Sequence, residues 1–475
     1  MLTDYLFKTL QYHRTLINKN YTYKDLFKLS TFYKNQFEQL GIRKNDRIMI
    51  ESKKSLDFIA ALVAGWQTRA IMVPVYDYRP VIDKMKPSLV IKNNLDFISL
   101  NQKPVENKDD IALILFTSGT SGTSKAVALS HENIISNLEM IHELYQGEIT
   151  CSDHSFSILP WHHCYGLVCE LLYMIHSGAS MTISDKLNLK EIKKADPTLL
   201  FTVPKMIEKI YKSNIHLVPT SYLKNKVLWG NKLRMLSIGG SKCSKTHLDF
   251  LTNDMKIRAY QGYGMTELSP MIALNSPSHN RIGSVGKPLR GINVLFSNEK
   301  EMLVKSPSLM LGYIESIDET IEIKKPMDKD GWFHTGDKGY MDNDGFIYID
   351  GRLNSDYKLV NGKFVFPEYV EDLILSNFSN IEQALLFPNQ DHTENILLLY
   401  ASKYTQHKHM AIMIQSFLNE RIQLYELPSK ICFLKEPMTI ENNLISLKME
   451  VKRKYIQNLY YQNKLQFSMV VSQHF

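Results

Sequence analysis

The segment FTSGTSGTSK, residues 116–125, is the part of the chain best equipped to handle phosphate. Two glycines and six small hydroxyl residues fill its ten positions, and such a loop can wrap closely around phosphate oxygens. Gly119 and Gly122 allow backbone angles that other residues resist and turn N–H groups inward as an anion nest. Lys125 adds a point charge. The run IALILF ahead of it reads as a strand, and Ser130 is placed to cap a helix over HENIISNLEMIHELY. A flexible Ser/Thr/Gly surface loop is the ordinary alternative; the strand, the lysine and the cap argue against it. The P-loop pattern fails, because Ser124 and Ala126 flank the lysine where Gly and Ser/Thr belong.

A second cluster invites a metal reading. Cys151, Asp153, His154, His162, His163 and Cys164 fall within fourteen residues. No pair among them has the usual zinc spacing, so a metal cluster is the less favoured reading. The five cysteines (Cys151, Cys164, Cys169, Cys243 and Cys432) are odd in number and contain no CxxC pair. They read as reduced thiols of a cytoplasmic protein. Taken one at a time, Glu267 reads as an exposed helix-start residue, Asp337 as a turn-former, Arg352 as a salt-bridge partner and His163 as a satisfied surface histidine.

The elements that must position these groups alternate in type along the early chain. DLFKLSTFYKNQFEQLG repeats apolar residues at helical spacing and stops at Gly41, a C-cap residue type. DRIMIES then reads as a strand, SLDFIAALVAGWQTR as a buried helix and AIMVPVY as another strand, which predicts parallel α/β layers. NNLDFISLNQKPVENKDD (93–110) reads as a polar surface connection. From about Glu301 short strands and tight turns take over, and two Asp-Gly pairs in DKDGWFHTGDKGYMDNDGFIYIDGR predict hairpins. After Arg352 a smaller α+β unit follows, with helices over YVEDLILSNF and MAIMIQSFLNERIQLY. The expected division is 1–353 and 354–475, with a short hinge around Asn354.

A chain of 475 residues exceeds what one core usually supports. Its 44% hydrophobic and 22% charged residues exclude a disordered chain. A net charge of +7 spread over this length argues against a nucleic-acid partner and allows at most peripheral contact with a membrane. The N-terminus lacks a secretory pattern, and no apolar run approaches the roughly 18 residues of a spanning helix.

The motifs together resemble the adenylate-forming (AMP-binding) superfamily, which includes acyl-CoA synthetases, luciferases and peptide-synthetase adenylation domains. TSGTSGTSK is similar to its TSGTTGxPK loop, LPWHHCYG (159–166) to LPxxHxxG, LRMLSIGGSKCS (233–244) to LRxxxSGGAPLS, and QGYGMTE (261–267) to xxYGMTE. VGKPLRG, EMLVKSPSLMLGY, GWFHTGD, GFIYIDGR and NGKFVFPEYVE continue the series in order, from about Tyr21 to Tyr460. The resemblance implies a large N-terminal α/β adenylation domain with layered, mostly parallel sheets and a small mobile α+β C-terminal lid.

It also implies roles. Thr117, Ser118, Gly119, Thr120, Ser121, Gly122, Thr123 and Lys125 would orient the β- and γ-phosphates of ATP. Gly240, Ser241, Tyr263 and Gly264 would frame the adenine, and Thr266 would bond the α-phosphate. Glu267 and Thr117 would hold Mg²⁺, a hard cation that wants oxygen ligands. Asp337 would accept from both ribose hydroxyls, as an acceptor-only carboxylate can, and Arg352 would contact ribose and phosphate. His163 would meet the substrate carboxylate and α-phosphate, with Trp161 and Tyr165 near the mouth of the acyl pocket. Lys358 matches the lysine that approaches the site in the thioester-forming conformation.

WHHCYG offers no aspartate for an α-ammonium, which points to a small-molecule carboxylic acid without one. YKLVNGKFVFPEYVE and ENNLISLKMEVKRKYI resemble fatty acyl-CoA synthetases most, implying a fatty or similarly apolar acid and coenzyme A as acceptor. One departure stands out. Aligned through Arg453, Glu450 falls where the family carries its adenylation lysine, and Lys448 and Lys452 stand nearby. Three readings follow: an acid–CoA ligase, an acyl-AMP ligase loading the phosphopantetheine thiol of an acyl carrier protein, or a nucleotide-binding pseudoenzyme.

Overall fold

The computed structural model describes the chain except residues 9–13, 19, 94, 101–108, 118–124, 146, 186, 212–227, 354–355, 379, 403–405, 447–450 and 473–475. Two large sheets dominate its first three quarters. In one, Arg258–Gly264, Met235–Ile238, Leu199–Thr202, His154–Ser157, Ser180–Ile183 and Thr15–Ile17 run parallel in that spatial order, with antiparallel strands at both margins. In the other, Leu89–Ile91, Arg47–Glu51, Ile71–Val75 and Ile111–Thr117 are parallel neighbours. Ile111–Thr117 then folds back on Lys125–Ser130, and Gly312–Ile317 and Ile321–Lys324 extend that edge. The expected parallel layers are present, with antiparallel strands at their rims.

Local sequence explains the helices that cover them. In Leu56–Gln67 every residue from Phe58 to Trp66 is buried, so it is apolar all round. Tyr23–Gln39 buries one face through Leu26, Ser30, Tyr33 and Phe37, and Gly41 beyond it takes a left-handed φ of 77°. Ser130 caps His131–Tyr145 as its position predicts, its Oγ accepting from the Asn133 N–H at 3.0 Å.

A third, antiparallel sheet joins Asn293–Phe296, Glu301–Lys305, Phe333–Met341 and Ile347–Arg352. Its last hairpin turns on Asp342, whose carboxylate accepts from the N–H groups of Asp344 and Phe346. Beyond it, Gln383–Pro388, Asn395–Tyr400, Pro428–Leu434 and Phe467–Ser472 form a separate sheet, packed by the helices Pro367–Asn377, His407–Asn419 and Arg453–Tyr461. The buried residues of this smaller unit's two hydrophobic clusters all fall between Leu359 and Ile456.

Two expectations need correction. The connection at 93–110 contains the strand Phe97–Ser99, which pairs antiparallel with Leu89–Ile91. Phe97 packs against the rings of Tyr33 and Phe37, and that contact outweighs the polar composition around it. The helix expected over 410–425 instead runs from His407 to Asn419. Beyond Glu420 the exposed Leu424 leaves no apolar face to carry the helix further, and a short 3₁₀ turn, Leu424–Glu426, leads to the extended Leu427 before Pro428. No helix among the described residues is long and apolar enough to cross a membrane.

Candidate active site

The candidate residues converge at the C-terminal ends of parallel strands, the usual crevice of α/β sheets. The strand Arg258–Gly264 brings Tyr263 and Gly264 to its tip, and a 3₁₀ turn at Thr266–Leu268 follows at once. Tyr263 and Thr266–Glu267 are thereby three residues apart on one continuous ledge. Gly264 is required by close approach, because a Cβ there would run into the carbonyl of Pro270. The neighbouring parallel strand Met235–Ile238 delivers Gly239, Gly240 and Ser241 to the same edge. Gly240 has a φ of 87°, a left-handed turn that favours glycine.

Two buried carboxylates anchor the ledge. Asp337 pairs in register with Arg352 across the hairpin, and its Oδ1 lies 3.3 Å from Arg352 Nε. The Tyr263 hydroxyl donates to Asp337 Oδ2. Burial and the Asp337 charge hold that phenol well above its ordinary range, so Tyr263 stays a neutral donor. Glu267 is the second. Its Oε1 accepts from the Tyr313 hydroxyl at 2.9 Å, and the Lys125 ammonium stands 4.6 Å from the centre of the Tyr313 ring. Burial and Glu267 likewise raise the Tyr313 phenol.

Thr117 and Lys125 are register partners, so the glycine-rich loop leaves and re-enters the sheet at one point, beside Tyr313. Ser118, Gly119, Thr120, Ser121, Gly122 and Thr123 lie outside the described residues, as do Asn354, Lys448 and Glu450. Around this centre Thr117, Thr266, Glu267 and Asp337 are buried, whereas Lys125, Gly240, Ser241, Gly264 and Arg352 are exposed. Carboxylates below and a glycine rim above suit a polar, phosphate-bearing ligand. Glu267 with the Thr117 hydroxyl is an oxygen donor set that fits Mg²⁺, an ion that keeps several waters and phosphate oxygens of its own.

The histidine segment reaches the same edge. His163 N–H donates to the Pro160 carbonyl at 3.2 Å, and Leu167 N–H to the His163 carbonyl at 2.9 Å, an α-type turn that runs into a π-helix over Tyr165–Leu172. Such wide turns recur at functional sites. The Tyr165 hydroxyl donates to the Ser237 carbonyl at 3.0 Å, and its ring lies 3.0 Å from where a Cβ on Gly239 would stand. Trp161 is fully buried against Phe58 and belongs to the core rather than to a pocket mouth. Lys358 sits on the small hairpin Tyr357–Lys358/Phe364–Val365, its ammonium 5.6 Å from the Phe364 ring.

Asp153 and His154 serve structural partners: Asp153 accepts from Arg234 at 2.9 Å, and His154 bonds Ser180 and Thr182, each at 2.8 Å. Sequence reasoning missed Tyr313, whose only signal is the LGY that closes EMLVKSPSLMLGY. It also missed a buried group behind the histidines, in which Glu170 accepts from Ser157 Oγ at 3.0 Å and Lys54 Nζ donates to the Ser157 carbonyl at 3.0 Å.

Known proteins resemble the chain in sequence and in fold. Residues 78–314 match the model of the AMP-binding enzyme family. Long-chain-fatty-acid–CoA ligase 6 of Rattus norvegicus is 27% identical over 314 residues, 56% of this chain and 45% of that protein, so the match spans less than half of the relative. The 2-succinylbenzoate–CoA ligase of Bacillus cereus (strain Q1) is 26% identical over 389 residues, 80% of this chain and 75% of that one. ATP-bound MatB from Rhodopseudomonas palustris has the same fold, with a TM-score of 0.81 at 20% identity over 98% of this chain and 99% of that one. On its ordered motifs and the family model matched over residues 78–314, the chain belongs to the AMP-binding, adenylate-forming enzymes.

Proposed function

We propose that the protein is an AMP-forming acid–thiol ligase. Its first step joins a carboxylic acid to ATP: a carboxylate oxygen bonds to the α-phosphorus, the bond to the β-phosphate bridge breaks, and pyrophosphate leaves. In the second a thiol adds to the acyl carbonyl and AMP departs, giving a thioester. The observation that carries this reading is the pairing of two buried carboxylates, Asp337 and Glu267, on one ledge through Tyr263 and Tyr313. Asp337 has the acceptor chemistry for a ribose diol, with Arg352 beside it for phosphate.

The loop entry at Thr117 and Lys125 binds the β- and γ-phosphates, Gly240, Ser241 and Gly264 frame the base, and Thr266 bonds the α-phosphate. Thr117 and Glu267 would hold Mg²⁺, which when bound would supply positive charge to balance the phosphates. His163 donates to the charge that builds on the carboxylate and α-phosphate. Lys358 acts in the second step, after rotation of a C-terminal unit that we place at 354–475.

The names of the rat and Bacillus cereus relatives support coenzyme A as the acceptor, and they differ on the acid. The rat relative's name and the lack of an aspartate in the sequence WHHCYG favour a fatty or other apolar acid. The test is pyrophosphate release from pure protein with ATP, Mg²⁺ and a panel of acids, with and without coenzyme A. Acid-dependent release is expected, rising when the thiol is added. ATP binding without release for any acid would favour a second reading, a nucleotide-binding protein without turnover, which Glu450 in place of a lysine motivates.

A further inference from the structure

His162 has no part in the reading above, yet it sits in the best-defined polar contact near His163. Its ring is buried, 4.2 Å from the His163 ring between centroids and tilted by 53°. The Ser52 hydroxyl stands 2.6 Å from His162 Nδ1. Ser52 comes from the other sheet, directly after the strand Arg47–Glu51, and its own N–H is fixed on the Val75 carbonyl at 2.9 Å.

Two residues on, Lys54 crosses the same seam and donates to the carbonyls of Ser157, at 3.0 Å, and Ser184. Glu170 backs that contact by accepting from the hydroxyls of Ser155 at 3.3 Å and Ser157 at 3.0 Å. The short run 52–54 therefore holds the irregular segment 157–163 at both ends, at Ser157 through Lys54 and at His162 through Ser52. The run is itself pinned from behind, where Lys53 N–H donates to Asn93 Oδ1 at 3.0 Å and Asn93 N–H to Glu51 at 2.9 Å.

We propose that Ser52 and His162 are positioning residues for His163, with Lys54 anchoring the clamp to the start of the segment. Whichever of the two donates, the contact between the Ser52 hydroxyl and Nδ1 fixes the plane of the His162 ring. His163 packs against that plane, so its own orientation toward an incoming carboxylate is set from the second sheet. Segment 158–163 lacks a helix or strand of its own, and a small loss of orientation in such a place is felt strongly in rate. The inference rests on reading the chain as an adenylating ligase in which His163 meets the acid.

The test separates the two half-reactions. Ser52→Ala should slow acid-dependent ATP–pyrophosphate exchange roughly tenfold, about the effect of one buried hydrogen bond. The KM for ATP and the rate of thioester formation from supplied acyl-adenylate should stay unchanged. Ser52→Thr, which keeps the hydroxyl, should restore exchange, and His162→Asn should behave as Ser52→Ala. Exchange within about twofold of wild type, or an equal fall in both half-reactions, would overturn the proposal. Should wild-type protein show no exchange with any acid, the ligase reading fails. The clamp is then read from ring-¹⁵N histidine spectra of the intact chain: Ser52→Ala is expected to move both the His162 and His163 signals, and unmoved His163 signals would sink it. Ser52→Thr keeps both arms available if the alanine variant does not fold.

Discussion

Asp337 answers to two partners at once, a phenol and a guanidinium, and this makes it the most exposed single point of failure in the site. Asp337→Asn keeps the shape and removes the charge that both partners face. Its expected cost is about 2 kcal/mol of nucleotide affinity, roughly thirtyfold in Kd by calorimetry with ATP. Glu170 gives a prediction in pH. Burial pushes its carboxyl from the ordinary 4.5 up to about 8, against the opposing pull of Lys54 and the two serine hydroxyls. A carboxyl that binds its proton more tightly when folded adds no penalty below its unfolded value. The penalty grows as pH climbs from 4.5 towards about 8, so stability falls across that window. Burial lowers the Lys54 ammonium, which acts in the opposite sense at higher pH. Glu170→Gln should therefore flatten the melting temperature between pH 5 and 8; a slope equal to wild type would reject this account. Asp337 was legible because HTGD is a local word. Glu170 was not, since its meaning comes from Lys54, more than a hundred residues earlier.

Secondary structure does more than carry these groups; it sets how closely backbones meet. Gly264 closes the strand Arg258–Gly264 against the Pro270 carbonyl, with no room for a methyl group. Gly264→Ala should push the two antiparallel partners apart and carry Tyr263 away from Asp337. Loss of ATP binding with unchanged far-UV circular dichroism is the expected pair of results. In the C-terminal unit, the buried Glu371 of helix Pro367–Asn377 binds Arg453 of helix Arg453–Tyr461, with one oxygen 2.8 Å from Nη1, and accepts from the Leu386 N–H at 2.6 Å. Burial raises this carboxyl to about 7 despite the arginine. Arg453→Met would leave it buried without its cation, at an expected cost of ~3 kcal/mol or more. Faster hydrogen exchange confined to Gln383–Pro388 and its neighbours would be the signature. The helices and central strands were readable from periodicity and capping. The strand Phe97–Ser99 and the early stop at Asn419 were not, because a distant aromatic pair decided the first and the exposure of Leu424 the second.

At the scale of the whole chain, the proposed reading gives the nucleotide to the large unit and leaves Lys358 on the small one. Lys358→Ala is expected to slow thioester formation while sparing pyrophosphate exchange, and equal loss in both would remove the assigned role. Glu450→Lys should raise the exchange rate, because an ammonium would then face the charge that builds during adenylation; no gain would mean another residue fills that place. Order of motifs made the architecture legible from end to end, yet the seam between the two large sheets left no trace in any single motif. The π-helix Tyr165–Leu172 is attached at two places to one of these sheets, Tyr165 to Ser237 on the strand Met235–Ile238 and Glu170 to Ser157 on the strand His154–Ser157. Its register has a consequence for inheritance. Losing one codon between Leu167 and Cys169 would favour an ordinary helix and swing everything on one side of the cut by roughly 100°. Both attachments could not then be kept, so insertions and deletions should be far rarer in this stretch than substitutions.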